Sequence, residues 1–332
     1  MIPTESILKE ILSEAQVVEK QLQKTLGQLQ PDVDDQLYEV LEYGLLNGGK
    51  RIRPILVVLA SRLCGNAGAE AYELGCAFEL LHAATLYHDD LIDNSDTRRG
   101  KPSVHKKFGT VAAVLAGDFL HAQSMSTVGR LSGQKGLDIF CRATKGMVDG
   151  EFMQLRNAEN HNLSELDYYH AIMGKTGLLI SAACEVGAVH GGGDEQQILA
   201  LKEYGNNLGC AFQIIDDLLD YLGDPERTGK SVGNDLVEGK MTLPVILALN
   251  AAKDIDRKRM ATILADKKLR AESIVEICYL ISEYGGFEAA RKKAVAAVDH
   301  ALAALTVFSD PDIRPERSIL EGLARYVLVR EK

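Results

Sequence analysis

The chain has 332 residues, 46% hydrophobic and 25% charged, with a formal net charge of −10; this is ordinary globular composition, long enough for one large core or two modest ones. The acidic balance argues against nucleic acid and against electrostatic docking on anionic lipid. Six scattered cysteines (Cys64, Cys76, Cys141, Cys184, Cys210, Cys278) form no CxxC pair and no cluster with histidine, so they read as buried small hydrophobes of a reducing compartment, not as a disulfide frame or zinc site.

In chain order, Met1 to Leu26 carries Lys9, Glu10, Glu14, Glu19, Lys20 and Lys24 without an uninterrupted apolar run. It does not read as a signal peptide, and no later run approaches membrane-spanning length, so a cytoplasmic protein with no stable membrane insertion is expected. Ile7, Leu8, Ile11, Leu12, Ala15, Val18, Leu22 and Leu26 repeat at helical spacing, with Gly27 as the expected stop. A second helix is expected to open at Pro31-Asp32 and stop at Asn47-Gly48-Gly49. Pro54 suits the first turn of a third, over Ile55–Leu63. Gly75–Ile92 reads as one apolar helix, followed by a polar loop from Asn94 to Phe108. Val111–Met125 and Leu137–Leu155 read as separate helices. Ser164-Glu165-Leu166-Asp167 resembles a capping box ahead of a helix over Tyr168–Val189, and another helix spans Gln196–Leu222. Gly223–Gly239 is the least regular segment, Pro244 opens a hydrophobic helix, and the remainder is helical. With no alternating strand pattern, repeat or linker, the expected fold is all-α and single-domain over residues 1–332, with its longest apolar helices inside.

Two acidic stretches carry the chemistry. In Leu86–Gly100, Asp89, Asp90 and Asp93 are three and four residues apart, a spacing that places them on one helical face. Like charges so close invite a cation, and hard cations such as Mg²⁺ take carboxylate oxygens, keep waters and complete their shell with phosphates. Arg98 and Arg99 follow, with donors suited to phosphate oxygens. The pattern returns as Asp216-Asp217-Leu218-Leu219-Asp220. One DDxxD string is expected by chance about 0.07 times in such a chain, so two copies are not accidental. Carboxylates beside arginines point to a metal-bridged phosphate ester.

These motifs, with Gly48-Gly49-Lys50-Arg51-Ile52-Arg53-Pro54, Gly117-Asp118-Phe119-Leu120, Gly150-Glu151-Phe152-Met153-Gln154-Leu155 and Lys175-Thr176, follow one another as in the trans (all-E) isoprenyl diphosphate synthases. The chain resembles the long-chain polyprenyl type of that family. The resemblance implies mostly antiparallel helices around a deep central cavity, the two acidic clusters facing each other across its mouth. It implies a Mg²⁺-dependent prenyltransferase that condenses isopentenyl diphosphate head to tail onto an allylic diphosphate such as farnesyl diphosphate, releasing pyrophosphate, for quinone side chains. It further implies three Mg²⁺ per active site on Asp89, Asp90, Asp93, Asp216, Asp217 and Asp220. Arg98, Lys175, Lys230 and Lys240, with Thr176 and Gln213, match the allylic-diphosphate contacts. Lys50, Arg53, His82 and Arg99 match the isopentenyl diphosphate contacts, and His82 lies two helical turns before Asp89. Glu151 and Asp118 are expected to orient basic residues. Family members are homodimers, and Val111–Met125 is a plausible interface element.

The rivals are a short-chain geranylgeranyl diphosphate synthase, a class I terpene cyclase and, outside enzymes, the regulatory subunit of a two-component synthase. A full second DDLLD and the GGKRIRP stretch argue against the cyclase, and intact aspartates argue against the subunit. For chain length, Thr85 lies one turn before Asp89 with Ala84 beside it, both small, so an elongating tail should pass. Leu81 is the next obstacle, and Phe119, Met125 and Met147 could close the tunnel. The expected product is C35–C50, with C40 favoured.

Overall fold

The computed structural model describes residues 4–159, 163–223, 233–310 and 313–330. Helix α1 (Thr4–Leu29) buries Ile11, Val18, Leu22 and Leu26, a stripe at helical spacing. It overruns the expected stop at Gly27 and ends at a 3₁₀ turn over Gln30–Asp32, where Pro31 cannot supply an N–H. The second helix, α2 (Asp35–Leu45), accordingly starts later than Pro31-Asp32. Its N-cap is Asp34, whose carboxylate accepts from the Gln36 N–H at 2.9 Å. Helix α3 (Ile52–Leu63) has Pro54 in its first turn, as expected, and α4 (Glu70–Ile92) begins before Gly75 and ends at the first acidic cluster.

The polar loop that follows holds a two-residue antiparallel ladder, β1 (Thr97–Arg98) with β2 (Lys101–Pro102), and the short helix α5 (Val104–Phe108). The two helices expected next follow each other along α6 (Thr110–Glu159) and are separated at Gly133, whose φ of 63° and ψ of −166° are not helical. Ser164 caps α7 (Glu165–Ile172), its hydroxyl accepting from the Asp167 N–H at 3.2 Å. A π-helical turn over Met173–Gly177 then leads into α8 (Leu178–His190). Together they form a stretch, Glu165–His190, long and apolar enough by composition to cross a membrane, contrary to the sequence expectation; 72% of its most apolar window is buried within the protein. Helix α9 (Glu195–Leu222) carries the second acidic cluster. The chain continues through α10 (Asn234–Glu238), α11 (Leu243–Ala251), α12 (Asp254–Ala265), α13 (Lys267–Glu272), α14 (Ile274–Glu283), α15 (Gly286–Ala304) and α16 (Arg314–Val327).

The fold is thus all-α, and it clusters into two compact units. The first comprises Met1–Arg142, Ala182–Lys202 and Val307–Leu320. Its core includes Leu56, Leu59 and Leu80, and Phe78 meets Phe140 edge-on at 5.2 Å. The second comprises Ala143–Ser181, Glu203–Thr306 and Glu321–Lys332, with Tyr204, Ile214, Ile246, Ile277 and Ile281 among its buried side chains.

Candidate active site

In the first unit, the C-terminal half of α4 and the loops before α3 and after α4 build a small, open cationic cleft, lined among others by Asn47, His82, Asp90, Arg98, Arg99 and Ser103. Its charge is organised by a residue in a left-handed conformation: Arg51, φ 52°, whose side chain turns inward. Arg51 donates to Glu79 at 2.6 Å, to Glu19 at 2.9 Å and to the Leu45 carbonyl at 2.8 Å. Arg51 and Glu79 are each 4% exposed, so neither charge would persist there without the other. The reversal of chain direction at Arg51 separates it from its neighbours Lys50, which is exposed, and Arg53, which is half-buried.

Arg53 Nε is buried without a hydrogen-bond partner. Burial pulls the Arg53 pKa below the usual guanidinium value, opposed by Glu79 and reinforced by Arg99. Arg99 is lowered for the same first reason and donates to the Gly48 and Asn47 carbonyls. His82 faces the same charges. Burial first, then Arg53, Arg99, Arg98 and Arg51, hold its pKa well below the ordinary imidazole value, so the ring is neutral at pH 7. A neutral imidazole amid guanidinia, one with an unmet buried N–H, is built to receive an anion.

The three carboxylates of the first cluster do not share one environment, as their spacing suggested. Asp89 is half-buried and Asp93 exposed, whereas Asp90 is 2% exposed and held by Arg98, whose Nε donates to it at 2.9 Å. Beside this cluster, Asp118 lies 3.8 Å from His88.

In the second unit the site rests on close backbone contact. A Cβ on Gly150 of α6 would stand 2.7 Å from Gly174 Cα and 2.9 Å from Lys175 N, and one on Gly209 of α9 would stand 2.7 Å from Gly177 Cα. Glycine alone permits such approach. It seats the π turn between the two helices, and the extra residue of that turn rotates Lys175 and Thr176 out of α-helical register. Lys175 Nζ lies 3.1 Å from Glu151, the orienting contact expected of that glutamate. Thr176 donates to Gln213 Oε1 at 3.1 Å, Gln213 Nε2 donates to Asp217 Oδ1 at 2.9 Å, and the Tyr168 hydroxyl donates to Asp217 Oδ2 at 2.7 Å.

Asp217 is 4% exposed, and burial raises its pKa to about 8 against the opposing Tyr168 and Gln213 hydrogen bonds. Like Asp90, it turns inward while its neighbours do not: Asp216 is exposed and Asp220 half-buried. Arg330 donates to Asp216 at 3.1 Å and stacks on Phe212 at 3.8 Å. Lys240 lies 3.1 Å from Asp235 and 2.8 Å from Glu238, and these carboxylates raise its pKa against the opposing effect of burial. Lys230 lies outside the described residues.

Among the described residues no three His, Cys, Asp or Glu side chains converge into a closed metal cage. The donors nonetheless fit a hard divalent cation. They are carboxylate oxygens at Asp89 and Asp93 in the first unit and, separately, at Asp216 and Asp220 in the second, open enough to leave coordination positions for water and phosphate, which is how Mg²⁺ is usually held. Of the residues assigned to the tunnel, Leu81 and Ala84 are 2% exposed, Thr85 is half-buried and bonded to the His82 carbonyl at 2.9 Å, and Phe119, Met125 and Met147 are half-buried. Sequence reasoning missed Glu79, Arg51 and Tyr168. Glu79 left a trace as the single charge in the apolar run Leu74–Leu81, where a buried carboxylate demands a partner. Tyr168 left none.

Residues 34–281 match the family model for polyprenyl synthetase. The chain is 37% identical over 310 residues to octaprenyl diphosphate synthase of Escherichia coli, covering 92% of this chain and 94% of that one. It is 36% identical to a short chain isoprenyl diphosphate synthase of Methanothermobacter thermautotrophicus, with 96% of each chain covered. Among solved structures, the polyprenyl synthase of Caulobacter crescentus complexed with calcium and isoprenyl diphosphate is similar with a TM-score of 0.87 and 34% identity, over 99% of this chain and 98% of that one.

Proposed function

Because the chain belongs to the polyprenyl synthetase family and is therefore a metal-dependent isoprenyl diphosphate synthase, we propose that it is specifically a Mg²⁺-dependent long-chain synthase of octaprenyl type. The observation that carries the substrate assignment is the cationic cleft around His82, Arg98 and Arg99, beside the helix end bearing Asp89 and Asp93. Isopentenyl diphosphate is taken by Lys50, Arg53, His82 and Arg99, which bring charge and donors without a metal. Lys175, Thr176, Gln213, Lys240 and Arg98 take the allylic diphosphate, with Lys230 as a further candidate. Asp89, Asp93, Asp216 and Asp220 hold Mg²⁺, three ions with substrate bound, while the inward-turned Asp90 and Asp217 orient Arg98 and Gln213. Held there, Mg²⁺ would supply positive charge to offset the negative charge developing on the leaving diphosphate. The alkene of isopentenyl diphosphate then attacks the allylic carbon, and the proton it loses passes to the departing pyrophosphate, so no side-chain base is required. The single family model running across segments of both units supports one catalytic domain. Val111 and Leu115, 70% and 59% exposed one turn apart on α6, support a homodimer through that face.

The test incubates the protein with isopentenyl and farnesyl diphosphates and Mg²⁺ and follows pyrophosphate. Turnover should vanish with EDTA and fall by at least about 100-fold in Asp89→Ala, with thermal stability unchanged or raised because like charges are relieved. Undiminished turnover in Asp89→Ala would remove the metal assignment. Light scattering at micromolar concentration should give twice the 36.2 kDa chain mass.

A further inference from the structure

The buried chain of hydrogen bonds in the second unit has a direction, and that direction decides which atoms Gln213 and Thr176 present. An ionised carboxylate only accepts, whereas an amide has one accepting and one donating side; with its pKa raised to about 8, Asp217 is in that form above pH 8. Facing Asp217, Gln213 must therefore turn its Nε2 toward the carboxylate, at 2.9 Å, which leaves Oε1 for the Thr176 hydroxyl at 3.1 Å. The second N–H of Gln213 is what this arrangement leaves over, and an N–H is what a diphosphate oxygen needs. Asp217 can impose the arrangement only while it is itself fixed. The other carboxylate oxygen accepts from the Tyr168 hydroxyl at 2.7 Å, in a site where the carboxylate is 4% exposed.

We propose that Tyr168 is a positioning residue for the allylic diphosphate: it holds Asp217, and through Asp217 fixes the amide of Gln213 with a donor toward the substrate. The proposal rests on the synthase reading above, and it gives the second aspartate of the motif an orienting role. Tyr168 belongs to α7, touches Tyr169 edge-on at 5.5 Å and lies outside the acidic motif altogether. Its contribution is polar, so removing the hydroxyl while keeping the ring isolates it.

The experiment uses the full chain and a non-reactive farnesyl diphosphate analogue with sulfur in place of the bridging oxygen, titrated calorimetrically at pH 9, where Asp217 is ionised, at saturating Mg²⁺ without isopentenyl diphosphate. Tyr168→Phe should weaken the analogue about fivefold. Asp217→Asn should weaken it about tenfold, because one of its two positions then holds an N–H₂ that cannot accept, so either the Tyr168 hydroxyl or the Gln213 amide loses its acceptor. Both act along one path, so the double variant should bind no more weakly than Asp217→Asn alone. In steady-state kinetics the KM for farnesyl diphosphate should rise while the KM for isopentenyl diphosphate stays within about twofold. A Tyr168→Phe protein with a lowered melting temperature but unchanged analogue affinity would show a merely structural tyrosine and overturn the proposal. So would Asp217→Asn acting only by shifting the Mg²⁺ concentration required. Wild-type protein that fails to bind the analogue would instead overturn the synthase reading itself, an outcome distinct from wild-type binding that Tyr168→Phe leaves intact.

Discussion

A single imidazole shows how the first unit has traded stability for anion binding. His82 is neutral because burial and four guanidinia oppose its charge, so its folded pKa lies well below the unfolded value of 6.5. For a base depressed in this way, the stabilising contribution is complete above the unfolded pKa. It is lost as pH falls through 6.5, because the unfolded chain takes up a proton that the folded chain refuses. The loss approaches but does not exceed about 1.4 kcal/mol per pH unit until the folded pKa is reached. Urea denaturation at pH 7.5 and pH 5.5 should therefore show wild type losing more stability than His82→Gln, other titrating groups being common to both. Equal losses in the two proteins would mean that His82 has the same pKa folded and unfolded, against the burial argument. That Arg53, Arg99 and His82 lie close together could be read from the sequence, because their motifs fix both residue type and spacing. That Asp90 and Asp217 turn inward could not. Helical spacing places a side chain on a face within about 100° and says nothing of which neighbour stands there, and the partners, Arg98 and Tyr168, come from other elements.

At the scale of elements, the π turn between α7 and α8 is held by missing side chains, since Gly150 and Gly174 let two backbones touch. Adding one methyl group at Gly150 would require Gly174 Cα at 2.7 Å and Lys175 N at 2.9 Å to move. Overpacking of this kind costs about 1–3 kcal/mol, and here the displaced atoms carry Lys175. Gly150→Ala should therefore lower both the midpoint of urea denaturation and kcat. Gly27→Ala is the control: nothing lies within 4 Å of a Cβ there, and the position sits inside α1, so the same methyl should stabilise by about 0.5–1 kcal/mol. If Gly150→Ala were as benign as Gly27→Ala, the turn would not depend on close contact. Helix existence was legible from periodicity throughout, as in α1, α4 and α9, while boundaries were not. Gly27 failed as a stop because its backbone remains helical and Pro31 ends the run instead. The expected break between Val111–Met125 and Leu137–Leu155 is there, at Gly133, whose φ of 63° and ψ of −166° suit glycine and interrupt the helix.

For the molecule as a whole, the open question is how long a chain it makes, and the relatives do not decide it: octaprenyl, short chain and geranylgeranyl synthases are all similar to it. The residues of α4 bear on it directly. A tail leaving the site at Asp89 first meets the residue one helical turn, about 5.4 Å, below it on the same face, which is Thr85. Thr85 is half-buried with its hydroxyl turned back to the His82 carbonyl, so its methyl group is the surface it offers, whereas Ala84 beside it is 2% exposed and already in contact. An aromatic ring at Thr85 should therefore act mainly as a floor, and one at Ala84 should act partly by overpacking, at a cost of about 1–3 kcal/mol. Chromatography of dephosphorylated products should show wild type making polyprenols of C35–C50, centred on C40. Thr85→Phe should shift them to C15–C20 with melting temperature preserved, and Ala84→Phe should shorten them with a lowered melting temperature. Removing the next obstacle, by Leu81→Ala, should lengthen the product, although a buried leucine truncated to alanine costs about 2–5 kcal/mol and the assay must be run well below the melting temperature. Wild-type product ending at C20 would place the floor above Leu81 and refute the open-tunnel reading; long products from Thr85→Phe would mean that the tail leaves by a face of α4 other than the one bearing Asp89.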